Sequence, residues 1–208
     1  MIDAGGSGVS DGVSVTGSRG AGGEAGPWLV VIDPQRIFAD PDSDWGSPMW
    51  ADAVERIREL LPRFEGRTII TRWVPPETGS RVGSWDAYMK AWPFADRPAD
   101  DQYFDLVDEL ADVDALRVDA PTFGKWDVLA PIVGEAAELV ITGVSTDCCV
   151  VSTVLPAADA GATLTVVTDA CAGSTPENHQ AALTVMGLYP PQVRLATVTE
   201  LEAQASQP

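Results

Sequence analysis

From Trp28 onward, short apolar runs alternate with stretches whose apolar positions recur every three or four residues. Trp28 to Ile32 is a nearly continuous apolar run, the pattern of a strand covered on both faces. Similar runs predict strands at Thr68 to Thr71, Leu116 to Val118, Glu138 to Thr142, Thr163 to Thr168 and Val193 to Ala196. Helical periods lie between them. Residues 47–63 place Val54, Ile57, Leu60 and Leu61 on one face, with Ser47-Pro48 as a start signal and Gly66 beyond the end. Residues 101–111 put Phe104, Val107 and Leu110 inward. Lys125 to Val133 reads as a short helix, Ser145 to Ala160 as a helix capped by Ser145 or Thr146, and 176–188 as a helix opened by Pro176. A last short helix follows Thr199. Residues 72–98 read as irregular and aromatic, with Trp73, Trp85, Tyr88, Trp92 and Phe94.

This alternation predicts an α/β fold, with three α/β/α layers around a mostly parallel, Rossmann-like sheet. In such sheets the active site lies beyond the carboxyl ends of the strands. Residues 1–26 are rich in Gly and Ser and lack aromatic residues, so they read as a flexible tail ahead of one domain at 27–208. The tail's glycines precede the first strand and lack a Gly-Lys-Ser/Thr ending, which argues against a phosphate loop.

Charge removes whole classes of partner. Thirteen Lys and Arg stand against 31 Asp and Glu, a formal net charge of −18. Such a surface repels nucleic acid and anionic membranes. No stretch is long and apolar enough to span a bilayer, and no secretory signal opens the chain. The cysteines are Cys148, Cys149 and Cys171, a poor disulfide framework, so a reducing cytoplasm is the expected setting. With His179 as the single histidine, a two- or three-His metal site within one chain is impossible.

Three chemical candidates fall just past strand ends. Asp33 closes the first strand in VVIDPQRIF, where a partly desolvated carboxylate can act as a base; the alternative is a turn-opening Asp-Pro. Lys125 follows the third strand in APTFGKW, where its ammonium would favour the charged forms of a nearby carboxylate and thiol. Cys149 lies in the first turn of the helix after the fourth strand, in ITGVSTDCCV. A helix N-terminus lowers a thiol's pKa, and its free N–H groups can bind an oxyanion. The alternative for both adjacent cysteines is core packing. His179 offers a rival Cys–His pair, or a polar contact near a helix start. Pro156 falls inside the nucleophile's helix, where it removes a hydrogen bond.

Taken together, VVIDPQRIF with Asp33, Gln35 and Phe38, FGKW with Lys125, and GVSTDCCV followed by DAGATLTVVTDACAGS and HQAAL carry a resemblance. From about Trp28 to Leu201 the chain resembles the isochorismatase-like family of cysteine hydrolases. That family includes nicotinamidases, N-carbamoylsarcosine amidase-like enzymes and ureidoacrylate hydrolases. The Thr-Asp-x-Cys-Val pattern selects Cys149 over Cys148. The resemblance implies a catalytic set of Asp33, Lys125 and Cys149. It also implies a cis peptide at Val144–Ser145, with the Ser145 and Cys149 amides as oxyanion donors. Phe38, Trp85, Tyr88, Phe123 and Trp126 are expected to line a pocket for a small, flat substrate.

The implied reaction is cleavage of an amide or ureide C–N bond through a thioester, without a cofactor, by a dimer or tetramer. Two alternatives stay open: vinyl-ether hydrolysis with Asp33 as acid, and a catalytically silent binding protein. Zinc-binding nicotinamidases carry Asp-x-His after strand two, where this chain has TRWVPP, so no metal is expected.

Overall fold

The computed structural model describes residues 13–17 and 26–205. Seven strands form one sheet: β1 (Ser14–Thr16), β2 (Trp28–Ile32), β3 (Thr68–Trp73), β4 (Leu116–Ala120), β5 (Glu138–Val144), β6 (Thr163–Ala172) and β7 (Val193–Ala196). The helices are α1 (Arg36–Ala39), α2 (Trp50–Leu60), α3 (Trp85–Ala91), α4 (Asp108–Ala111), α5 (Trp126–Val133), α6 (Val151–Asp159), α7 (Pro176–Met186) and α8 (Val198–Ala205). The strand order is β1-β4-β3-β2-β5-β6-β7. All pairs are parallel except β1 with β4.

The apolar runs become strands because both faces are covered. Leu29 and Val31 join one core cluster with Trp50, Val54 and Ile57 of α2, while Val30 and Ile32 join a second with Leu129 of α5, Val154 of α6 and Leu183 of α7. Successive strand residues point to opposite faces, so one run feeds two cores. The three-layer expectation therefore holds. The chain order reverses between β2 and β5, the two central strands. A crevice beyond the carboxyl ends of such strands is where ligands bind in open α/β sheets.

Several local expectations are corrected. Ser14–Thr16, inside the expected flexible tail, pairs antiparallel with β4 in the register Val15↔Val118. The rest of that tail, 1–12 and 18–25, lies outside the described residues. Residues 101–111 are not one helix. They form a 3₁₀ turn (Gln102–Phe104) and the short α4, separated by extended backbone at Asp105 and Val107. Here tertiary hydrogen bonds override helical propensity: Arg36 N–H donates to Asp105 O, and Val107 N–H donates to Pro34 O, both at 3.0 Å. Phe104, Val107 and Leu110 are nevertheless buried as their spacing indicated. Residues 72–98 contain α3 and a 3₁₀ turn at Pro93–Ala95. Residues 61–63, the end of the expected first helix, tighten into a 3₁₀ turn, Leu61–Phe64, beginning at Leu61-Pro62.

Gln35 fastens this region. Fully buried, it donates from Nε2 to Trp73 O and Phe104 O, both at 2.9 Å, and its Oε1 accepts from Trp73 N–H at 2.7 Å. One side chain thus supplies partners for the backbone at the end of β3 and for the 3₁₀ turn. Gln35→Leu keeps the volume but strands three buried backbone groups, so it is expected to destabilise the fold by about 3 kcal/mol. Urea unfolding measures this, and a loss below about 1 kcal/mol would contradict the role.

Candidate active site

The ends of three strands meet at one point. Asp33 follows β2 and has φ of 45°, a left-handed conformation uncommon for a residue with a side chain. It is fully buried. Its N–H donates to Thr71 Oγ1 at 3.1 Å, and the Thr71 hydroxyl donates to Asp33 Oδ1 at 2.7 Å. Asp33 Oδ2 lies 2.9 Å from Lys125 Nζ, and both side chains are completely shielded from solvent. The ammonium nonetheless directs hydrogen bonds to Thr122 O at 2.6 Å and Phe123 O at 2.9 Å. Asp33 Oδ2 is buried and held in ionic contact by the Lys125 ammonium.

Cys149 lies in a π-helical turn, Thr146–Val150, that leads into α6. The thiol is buried, at 2% exposure. The expected depression of its pKa is reversed. Contact with the Cys148 sulfur, burial and the Asp33 charge push it well above the ordinary thiol value, with Lys125 opposing. The helix-end field is outweighed because the sulfur is desolvated beside a carboxylate. The Cys148 thiol moves down, chiefly because the Cys149 thiol contacts it. Cys171 sits inside β6, where burial pushes its thiol up. The expected side-chain cap is absent: Ser145 makes no capping bond, and Thr146 Oγ1 instead contacts His179 Nδ1 at 2.9 Å. His179 thus contacts the turn that carries Cys149, and burial lowers its pKa.

The loop of Lys125 and the helix of Cys149 are joined through Thr153. Its hydroxyl accepts from Lys125 N–H at 3.0 Å and donates to Cys149 O at 2.7 Å. Gly124 permits this approach, since a Cβ there would sit 2.5 Å from Ser152 O. Ser152 O is the carbonyl that an N–H at Pro156 would engage in a regular helix, so the proline leaves it open toward the loop. On the other side, Gly143 has φ of 109°, and a Cβ there would meet Ile32 O at 2.1 Å. This close passage brings the end of β5 beside Asp33. The Val144–Ser145 peptide is cis, as the resemblance implied.

A cavity of about 170 Å³ opens at Cys149, with Phe38, Tyr88, Phe123 and Ser145 also in its wall, while Asp33 and Lys125 lie outside its lining. Two expected wall residues lie elsewhere. Trp126 begins α5 and packs with Leu129 into the second core, because the helix turns its apolar face to the sheet. Trp85 stands behind the wall, with ring centroids 5.0 Å from Phe123 and 5.5 Å from Tyr88. Sequence reasoning missed Trp45, Trp73, Asp44, Asp147, Cys148 and Ser174, which also line the cavity. Trp45 had a signal: a single large aromatic inside the turn-forming stretch DPDSDWGSP. Tyr88 keeps its proton, pushed up to about 12 by burial and by the neighbouring Cys148 and Cys149.

The TRWVPP stretch, which stands where zinc-binding nicotinamidases carry Asp-x-His, holds neither a carboxylate nor an imidazole. Within it Thr71 is bonded to Asp33, Arg72 is paired with Asp119 at 2.6 Å, and Trp73 is a buried aromatic. These residues do not suit a cation. Among the described residues no group of three or more His, Cys, Asp or Glu is placed to hold a metal ion. No helix among them is long and apolar enough to cross a membrane.

Comparison with known proteins places this geometry. A cysteine hydrolase from Pseudomonas syringae is similar with a TM-score of 0.71 at 18% identity, over 86% of this chain and 91% of that one. N-carbamoylsarcosine amidase from Thermoplasma acidophilum is similar with a TM-score of 0.65 at 19% identity, over 85% and 98%. A pyrazinamidase/nicotinamidase from Streptococcus mutans gives 0.62 at 19%, over 81% and 100%. At these identities the likeness establishes the fold. No curated protein sequence matches this chain significantly. The isochorismatase domain matches residues 27–202, nearly the whole folded region. With that match over most of its length, the chain belongs to the isochorismatase family of hydrolases.

Proposed function

We propose that this protein is a cysteine-dependent hydrolase that cleaves the C–N bond of a small amide or ureide. Asp33, Lys125 and Cys149 are its catalytic set. The observation that carries the reading is the buried Asp33–Lys125 pair, 2.9 Å apart, with the buried Cys149 thiol near it and lining the cavity. The amidase and nicotinamidase among the similar structures support the same bond type.

Cys149 rests as a thiol, so attack requires proton removal as the S–C bond forms. Asp33 takes the Sγ proton while the sulfur adds to the substrate carbonyl carbon. The Ser145 and Cys149 backbone N–H groups hold the resulting oxyanion, a contribution typically worth about 3 kcal/mol per donor. Asp33 then gives its proton to the nitrogen, the C–N bond breaks, and ammonia or an amine leaves a thioester. Water adds to the thioester carbonyl as Asp33 accepts its proton. The C–S bond breaks, the acid departs, and Asp33 returns the proton to sulfur. Lys125 holds Asp33 in place through the ion pair and takes part in no proton transfer.

Two measurements test the scheme. With a panel of primary amides and ureides, Cys149→Ala is expected to lower ammonia release by at least about a thousandfold, and intact mass should show a substrate-derived acyl adduct only when Cys149 is present. Full turnover by Cys149→Ala would end the covalent scheme. The second concerns pH. A thiol with a raised pKa has little thiolate below it, and that fraction grows about tenfold per pH unit. Iodoacetamide labelling of Cys149 in the free enzyme, followed by tandem mass spectrometry, should therefore climb continuously from pH 7 to pH 9. A plateau below pH 8 would show a pre-formed thiolate and contradict proton transfer to Asp33.

A further inference from the structure

The cavity wall carries more information than the reaction centre requires. Phe38 and Trp45 lie nearly parallel, 6° apart, with ring centroids separated by 6.1 Å. Trp45 reaches Tyr88 at 6.1 Å, and Tyr88 reaches Phe123 at 5.3 Å. These four rings form a continuous aromatic wall above Cys149. The charged side chains lining the same cavity are both acidic, Asp44 and Asp147. Asp44 is exposed and makes no hydrogen bond or ion pair. Asp147 accepts from Ser174 N–H and Ser174 Oγ, both at 2.7 Å, and has no cationic partner. Lys125, the cation beneath the floor, is committed to Asp33 and two carbonyls. A substrate carboxylate would therefore find no positive partner here and two negative neighbours. A cation would find an aromatic lining and unneutralised carboxylates, in a protein of net charge −18.

We propose that the amide cleaved at this site carries a positive charge, an alkylammonium or quaternary ammonium group held against the aromatic wall with Asp44 and Asp147 beside it. The inference rests on the amide-hydrolase reading for the reaction but on the wall alone for binding. Aromatic faces attract an ammonium through the ring quadrupole, and partial desolvation strengthens that attraction. The acidic residues add discrimination by repelling anionic analogues.

The test compares three amides of similar size: trimethylammonioacetamide, its neutral isostere 3,3-dimethylbutanamide, and the carboxylate malonamate. The cationic amide is expected to exceed the neutral one in kcat/KM by at least about tenfold at low salt, with malonamate the poorest. In Asp44→Asn the cationic-to-neutral ratio should fall by about fivefold or more. A ratio below tenfold in the native protein, or a preference for malonamate, overturns the inference while leaving the amidase reading intact. Binding is read separately from turnover, by tryptophan fluorescence with tetramethylammonium and with acetate. If no amide is hydrolysed but tetramethylammonium saturates the wild-type protein and acetate does not, the cation site stands and the amidase reading fails. If neither hydrolysis nor tetramethylammonium binding is seen, both fail.

Discussion

Everything at this site depends on an ion pair with no access to water. Moving a carboxylate and an ammonium out of water costs several kcal/mol each, and their attraction offsets this only when geometry and hydrogen bonding are good. The chain meets that condition with Thr71 on Asp33 Oδ1 and the Thr122 and Phe123 carbonyls on Lys125 Nζ. Each partner therefore needs the other, since a lone buried charge is far more costly than the pair. The left-handed backbone at Asp33, the closely passing Gly143 and the loop of Lys125 all serve to bring the two charges together.

The state of the Cys149 thiol follows from its surroundings. In an open helix turn the thiol would lose its proton easily. In contact with the Cys148 sulfur, buried and near Asp33, it keeps it. In the proposed reaction Asp33, a charge near the thiol, takes that proton when substrate arrives. Thr153 matters for a related reason. By bridging Lys125 N–H and Cys149 O, it ties the position of the ammonium to that of the sulfur. Asp33, Lys125 and Cys149 thus come from three separate strand ends yet are held as a unit.

Much of this was legible in the chain. Trp28 to Ile32 reads as a strand because both its faces are apolar, and the residue after it becomes a site residue because the run stops at the edge of the sheet. Phe38, Tyr88 and Phe123 belong to the cavity as expected, whereas Trp126 does not. Phe123 and Trp126 are three positions apart, but a helix begins between them. The loop residue turns to the cavity, and the helix residue turns to the sheet. The 101–111 segment shows the same limit. Its spacing chose the right residues for burial, but backbone bonds to Pro34 and Arg36 chose the conformation.

The sequence by itself determined the layer architecture, the strand ends that carry chemistry and the identities of the groups found there. These follow from periodicity and from local motifs, which act over a few residues. Tertiary structure decided the thiol's protonation, the walls of the cavity and the pairing of Ser14–Thr16 with β4. Each of those depends on desolvation or contact between residues far apart in the chain. The helix start around Cys149 suggests an easily ionised thiol. Contact with the adjacent Cys148 sulfur raises it most, and burial and the Asp33 charge, which only the fold supplies, add to that and prevail over the local helix field.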